Sequence, residues 1–453
     1  MIKQFLIAKK ISATGFVLLS LSILLLFIFS LPHAMAGRKI LLYLTFFMAI
    51  PIFWRGLRNN SKQLLHATLL FFALQLWMLV ITFFIADQPY ASLLEWKGQW
   101  LTVAMCYVIG VGIACTLMES AIQAPRVTAT LIVVAPITIF LSLNAIAMIH
   151  EMVLAGKFLP NQLGITDEKG VTNYLIALME PILIADMLGR LVKGVRLIPV
   201  PNWVISLVLA LALFSLFAAS SRNGLIIMML AFMLGAAMVF IESRKKYSPL
   251  KLISSALATL ILVATISFIS YKTDPRWATF VETIPIAWDI DSDLRWLDSG
   301  VADVPLTASG KPVDISEYSR IAWAHAGLRM LAEHPWGMEI SRETFRNLEQ
   351  KKYGQSNIFH SHNAWIDFGL NVGIPGLVLW AGFLLFLIKT GWRAWKSHHD
   401  QLGLALTIMV VMFMLRGLLD STFRNQIIEQ FMLTAALLLT TLLYKHRDDS
   451  NDT

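Results

Sequence analysis

The sequence predicts an all-α polytopic membrane protein with about twelve transmembrane helices, the length of each set by the ~30 Å of hydrocarbon it must cross, and one long, partly helical external loop. Three observations predict this. The chain of 453 residues is 57% hydrophobic and 15% charged, against roughly 25% charged in ordinary soluble domains, and its mean hydropathy is +0.66. Apolar runs of about 20 residues, long enough to span as helices, recur from end to end. One polar segment, residues 271–361, interrupts them.

The runs fall at 12–32, 39–54, 66–86, 98–118, 127–149, 171–189, 202–219, 223–241 and 250–270 before that segment, and at 363–388, 403–419 and 426–444 after it. Three regions result: residues 1–270 with spans one to nine, the loop 271–361, and residues 362–453 with spans ten to twelve and a polar tail. The second run is short, with Pro51 near its end. The first leads directly into further spans, so it reads as a retained helix and not as a signal peptide.

Lys and Arg in short loops stay on the cytoplasmic side. With the N-terminus inside, the inner segments hold nineteen basic residues, from Lys3, Lys9 and Lys10 to Lys445 and Arg447, and the outer short loops hold eight. Both termini are therefore expected in the cytoplasm and the 271–361 loop outside it. Topology accounts for the net charge of +8, and a nucleic-acid partner gains nothing from it. Cys106 and Cys115 lie nine apart in the fourth span, on different helix faces and without metal-ligand spacing, as small packing residues.

The loop opens with Asp274-Pro275-Arg276-Trp277, passes an acidic stretch from Asp289 to Asp298 and a turn-rich one from Ser299 to Pro312, and then turns helical, with Ser316 as N-cap and a run to Ala332. His334-Pro335-Trp336-Gly337 ends that helix, and residues 341–352 read as a second, strongly basic one. Among its dense aromatic residues, Tyr318 and Trp323 fit either anchoring at the headgroup level or stacking on the C–H faces of a sugar. Asp289, Asp291 and Asp293 alternate and could hold a divalent cation, but no turn glycine or distal Glu completes a cation loop. They read better as a solvated acidic loop.

The residues that point to chemistry sit where the loop meets the membrane. Phe359-His360-Ser361-His362-Asn363-Ala364-Trp365 places two imidazoles and an amide where the chain re-enters the bilayer; polar groups there are costly unless they have partners or a task. Arg222, in Ser220-Ser221-Arg222-Asn223-Gly224, occupies a very short external connection among small residues. Its guanidinium fork suits phosphate oxygens, although snorkelling to the interface also accounts for it. Arg320, beside Tyr318 and Ser319, is a second candidate, whereas Arg329 reads as a surface charge. Arg416 and Arg424 flank the last external loop, where a donor contact and local pairing with Asp420 both fit.

Taken together, Ser221-Arg222-Asn223-Gly224, Arg320 at the start of a loop helix, Glu333-His334-Pro335-Trp336-Gly337, and His362-Asn363 followed, after nine intervening residues, by Gly373-Ile374-Pro375-Gly376 resemble the O-antigen ligase and polymerase superfamily of bacterial envelopes. The resemblance covers about residues 205–380, and the His-Asn pattern is its most specific element and resembles the ligase signature. It implies a membrane-embedded, GT-C-like glycosyltransferase of the inner membrane with a periplasmic site. The implied donor is O-polysaccharide on undecaprenyl diphosphate, the implied acceptor lipid A-core, and neither a nucleotide nor a metal is needed. The chemistry of the residues agrees. Guanidinium groups, here Arg222 and Arg320, stabilise a diphosphate whose charge grows as the anomeric bond breaks. His362 would take the acceptor's proton as general base, in a single displacement with inversion.

His360 competes with His362, since residues two apart share a face in an extended segment and could also bind a metal as a pair. His334 is either a helix-stop residue or a diphosphate contact. A polymerase joining undecaprenyl-linked repeats needs the same arginines and differs in its acceptor; a lipid-linked glycan transporter is the alternative of another class.

Overall fold

The structure, a computed structural model, describes residues 12–31, 34–120, 122, 124–159, 161–166, 169–243, 279–298, 304–354 and 356–444, with six isolated positions between 257 and 272. Apart from those isolated positions, the expected ninth span lies outside the described residues, as do the Asp274–Trp277 stretch and the basic residues of both termini.

Helices make up the fold, and the sole β feature among the described residues is a single bridge between Leu306 and Pro312. In chain order they are α1 (Ala13–Phe29), α2 (Met35–Asn59), α3 (Lys62–Val80), α4 (Pro89–Glu95), α5 (Leu101–Glu119), α6 (Pro125–Ala155), α7 (Lys169–Lys193), α8 (Asn202–Ala218) and α9 (Arg222–Ser243). The loop contributes α10 (Phe280–Trp288), α11 (Ile315–Glu333) and α12 (Thr344–Tyr353), and the chain closes with α13 (Ala364–His398), α14 (Gln401–Gly417) and α15 (Asn425–Leu443). Seven described helical segments are long and apolar enough to cross a membrane, and α1, α8, α9 and α14 are shorter apolar helices. Among the described residues the fold is thus helical, and its long apolar helices are those of a multi-pass membrane protein.

The second helix corrects one expectation. It runs 25 residues straight through Pro51, where the sequence suggested a short run ending near that proline. A proline removes one backbone bond without ending a helix whose neighbours hold it. At the centre stands α5, whose residues Thr102 to Met118 are all buried, as befits a helix that is apolar all round. Gly110 lets it meet α15, since a Cβ there would lie 2.3 Å from the Leu433 carbonyl oxygen. Cys115 fills the space left by Gly56 of α2, a packing role.

The external loop folds as a small domain with its own core, formed by residues such as Trp296, Tyr318, Ala322, Met330 and Phe345. Ile366 and Leu370 of α13 belong to the same core, so the domain is seated on the first turns of a membrane helix. The close approach is at Gly327 of α11, where a Cβ would meet Ile366 Cγ2 at 2.3 Å. The N-cap of α11 is Asp314, whose carboxylate accepts from the Glu317 N–H at 3.1 Å, and not Ser316. An aspartate side chain two positions earlier caps the N–H three residues on and so starts the helix at Ile315.

Candidate active site

Short-range bonding builds the turn that leads into α13. Asn363 is its N-cap: Oδ1 accepts from the backbone N–H groups of Trp365 at 3.0 Å and Ile366 at 3.2 Å, while Nδ2 donates to the Leu418 carbonyl at 3.3 Å. The amide is therefore occupied in fixing the frame. His362 precedes it with φ at +56°, a left-handed conformation that costs a non-glycine residue on the order of 1–3 kcal/mol and collects at functional sites. Ser220 and Asn425 also have positive φ, and they flank Arg222 and Arg424.

The His362 ring lies nearly parallel to Trp323, with centroids 5.3 Å apart and planes at 17°. His360 meets it edge-on at 4.2 Å. Neither nitrogen of His362 is hydrogen-bonded to a described residue, so one lone pair stays available. By contrast His360 is tied in: its Nδ1 lies 3.1 Å from Ser421 Oγ and 3.3 Å from the His362 backbone nitrogen. Ser421 donates to Asp367 Oδ2 at 2.8 Å, and the Ser361 hydroxyl and N–H donate to Asp367 Oδ1 at 2.7 and 2.8 Å. Asp367, in the first turn of α13, thus ties the histidine turn to the 418–424 loop. Burial pushes both imidazoles down to about 4; Arg424 and Arg320 push His360 the same way, and His360 and Arg320 do so for His362. Both rings are neutral at neutral pH and can accept a proton.

Helix α11 carries Glu317, Arg320 and Trp323 at successive three-residue steps, along one side. Trp323 covers His362, and Glu317 accepts from Arg222 Nη1 at 2.8 Å, both side chains being largely buried at 18% and 10% exposure for Arg222 and Glu317 respectively. Exposed Arg320 stands between them. One helix therefore links the start of α9 to the histidines. Gly224 permits the tight packing behind Arg222, since a Cβ there would lie 2.5 Å from Leu216 and 2.7 Å from Asn173.

The two glycine motifs prove to be a single contact. Gly337, φ +86°, and Gly373, φ +65°, pack backbone to backbone, and a Cβ on Gly373 would lie 2.3 Å from the Trp336 carbonyl carbon. Helix α13 breaks at Gly373, and the freed groups are re-paired across the contact. Ile374 N–H donates to the Pro335 carbonyl at 2.8 Å, Met338 N–H to the Leu370 carbonyl at 3.0 Å, and Trp77 Nε1 to the Val372 carbonyl at 2.7 Å. His334 ends α11 at this junction, a helix-stop placement.

Other sequence-predicted residues are placed elsewhere. Tyr318 is 1% exposed in the loop core, and Trp323 is covered by His362 while its Nε1 donates to the Trp296 carbonyl at 2.8 Å; neither presents a free face for a sugar, because each is more useful to the domain's core. Arg416 is 4% exposed, with Nη2 at 3.5 Å from the Gly170 carbonyl. Asp291 accepts from Arg329, and Asp293 from Arg295, so these carboxylates serve local ion pairs. Arg424 lines a shallow cleft together with Arg342, Gln99 and Asn371; Asp367 and Ser421 form the wall it shares with the histidine site.

Sequence reasoning passed over Glu317, Asp367, Ser421 and Arg342. Asp367 carried a usable signal, being an ionisable residue inside an apolar run; the others become visible only when distant segments meet. Residues 207–381 match the protein family described as O-Antigen ligase. No curated protein matches the chain.

Proposed function

We propose, from the match of residues 207–381 to the family described as O-Antigen ligase, that the protein is a member of the O-antigen ligase/polymerase superfamily and is the ligase, transferring O-polysaccharide from undecaprenyl diphosphate to lipid A-core. The reading places it in the inner membrane with both termini cytoplasmic, a GT-C-like architecture and a periplasmic active site. One observation supports the mechanism: His362, with an available nitrogen, stacks on Trp323 of the helix that also carries Arg320 and that holds Arg222 through Glu317.

In this mechanism the acceptor hydroxyl oxygen attacks the anomeric carbon while the carbon–oxygen bond to the diphosphate breaks. The hydroxyl proton passes to His362, and the leaving diphosphate keeps the bonding electron pair. Arg222 and Arg320 stabilise the charge that develops on it. Glu317 holds the Arg222 guanidinium in place before the donor arrives. An arriving diphosphate adds negative charge beside Arg320 and so raises the basicity of His362 when it is needed. The attack and departure occur on opposite faces, with inversion.

The test is purified protein in proteoliposomes with both candidate acceptors supplied. A ligase glycosylates lipid A-core and leaves a second undecaprenyl-linked repeat unextended; the opposite preference identifies a polymerase, and uptake of the donor without transfer identifies a transporter.

A further inference from the structure

The cleft beside the histidines is lined by two arginines, Arg424 and Arg342, and two carboxylates, Glu95 and Asp367; Asp367 is already taken up by the Ser361 and Ser421 donors. Arg424 lines the cleft and makes no hydrogen bond or salt bridge with a described residue, although a guanidinium offers five donors. Arg342, on the same lining, pairs among the described residues with Glu95, Nε to Oε2 at 3.2 Å, in a pair about 40% exposed on each side. Such a pair is worth roughly 0.2–1 kcal/mol, so a phosphate, which accepts two parallel bonds from a guanidinium, readily exchanges for Glu95. Gln99 Nε2 donates to the Phe423 carbonyl at 2.9 Å and Asn371 Oδ1 accepts from Thr344 at 2.5 Å, which leaves Gln99 Oε1 and Asn371 Nδ2 for sugar hydroxyls, and Trp100, Phe368 and Phe423 complete the lining.

Position then decides which substrate the cleft serves. Trp323, His362, His360, Ser421 and Asp367 form a continuous chain of contacts from the loop helix to the cleft. The arginines assigned to the leaving diphosphate, Arg222 and Arg320, stand at the loop-helix end of this chain; the cleft opens at the other. An in-line displacement puts the attacking hydroxyl and the leaving group on opposite sides of the anomeric carbon. We propose that the cleft binds an anionic sugar, phosphate-bearing or carboxylate-bearing, of the accepting glycolipid, with Arg424 and Arg342 as its ligands. This rests on the transferase reading given above and assigns the acceptor side of that site.

The test is equilibrium binding to the full-length protein in nanodiscs, measured separately for lipid A-core and for undecaprenyl diphosphate, alongside transfer. Arg424→Gln and Arg342→Gln weaken lipid A-core binding about tenfold each, equivalent to about 1.4 kcal/mol, and leave undecaprenyl diphosphate binding within about twofold of wild type. Glu95→Gln frees Arg342 and tightens lipid A-core binding about threefold, a gain that a misfolded variant cannot mimic. Unchanged lipid A-core binding in both arginine variants overturns the inference, and so does an equal loss of undecaprenyl diphosphate binding, which makes the cleft a donor site. Wild-type transfer to lipid A-core together with either overturning result leaves the ligase reading standing; the expected binding losses in a protein that transfers nothing leave the cleft standing and remove the ligase.

Discussion

Gly373→Ala tests how the loop domain is held on the membrane helices. The substitution adds one methyl group at φ +65° and ψ −175°, a region populated almost exclusively by glycine, at a cost of about 1–3 kcal/mol. The new Cβ would lie 2.3 Å from the Trp336 carbonyl carbon, 2.4 Å from the Gly337 nitrogen and 2.6 Å from the Pro335 oxygen. All three are backbone atoms, so the turn must retreat by about 1 Å to reach van der Waals separation. Retreat strains the two exchanged bonds, Ile374 N–H to Pro335 and Met338 N–H to Leu370, each worth about 1 kcal/mol and more if left buried and unmet. The total is about 3–6 kcal/mol, comparable to the whole stability of a small domain. The expected outcome is an undocked loop on intact membrane helices. Limited proteolysis should cut within 279–361 under conditions in which wild type resists, and transfer should fall at least about a hundredfold, the scale of effect that misplacing catalytic groups has. Gly382→Ala is the internal control, because a Cβ there meets nothing within 4 Å, and a helical alanine is more favourable than glycine by up to about 1 kcal/mol. Wild-type protease resistance and activity in Gly373→Ala, with Gly382→Ala behaving the same, would refute the docking account.

Three further outcomes follow from the site. The His362 base acts unprotonated and burial holds it at about 4, so kcat/KM should be flat from neutral pH downward and fall only as pH drops through about 4, whereas an acid limb at about 6.5, the unperturbed histidine value, would contradict the burial. Arg222→Ala and Glu317→Ala should couple by about 1–2 kcal/mol in thermal unfolding of the double-mutant cycle, because the pair is largely shielded from water; additive effects would show that the two do not interact. Asp367→Asn turns a three-donor acceptor into a group that presents N–H to a hydroxyl donor, so transfer should drop about tenfold to a hundredfold and stability by about 1–3 kcal/mol; unchanged kinetics would remove Asp367 as the residue that positions the histidine turn.

Apolarity made the membrane helices legible, since a run such as 98–118 has no stable alternative to a buried helix, and α5 duly lies at the centre of the bundle. Local helix signals were less secure. Pro51 did not end α2 because tertiary packing outweighs one missing bond, and Asp314 capped α11 in place of Ser316 because its carboxylate, two positions earlier, reaches the Glu317 N–H and starts the helix sooner. At the site, residue types with unusual cost, the His360 and His362 pair and Arg222, stood out from sequence alone. Their partners did not: Glu317 lies 95 residues from Arg222, and Ser421 lies 61 from His360. The aromatic residues misled for a physical reason. Trp323 and Tyr318 are as useful to a small domain's core as to a sugar, and composition does not separate the two uses.

The central claim is that His362 and Arg222 belong to one glycosyl-transfer site, and purified protein in proteoliposomes supplied with undecaprenyl-linked polysaccharide and lipid A-core tests it directly. His362→Gln and Arg222→Gln should each reduce initial transfer by at least about a hundredfold, the scale expected for a general base or a charge-stabilising donor, while both variants keep wild-type thermal unfolding to within a few degrees. Transfer at wild-type rates by both variants would contradict the account.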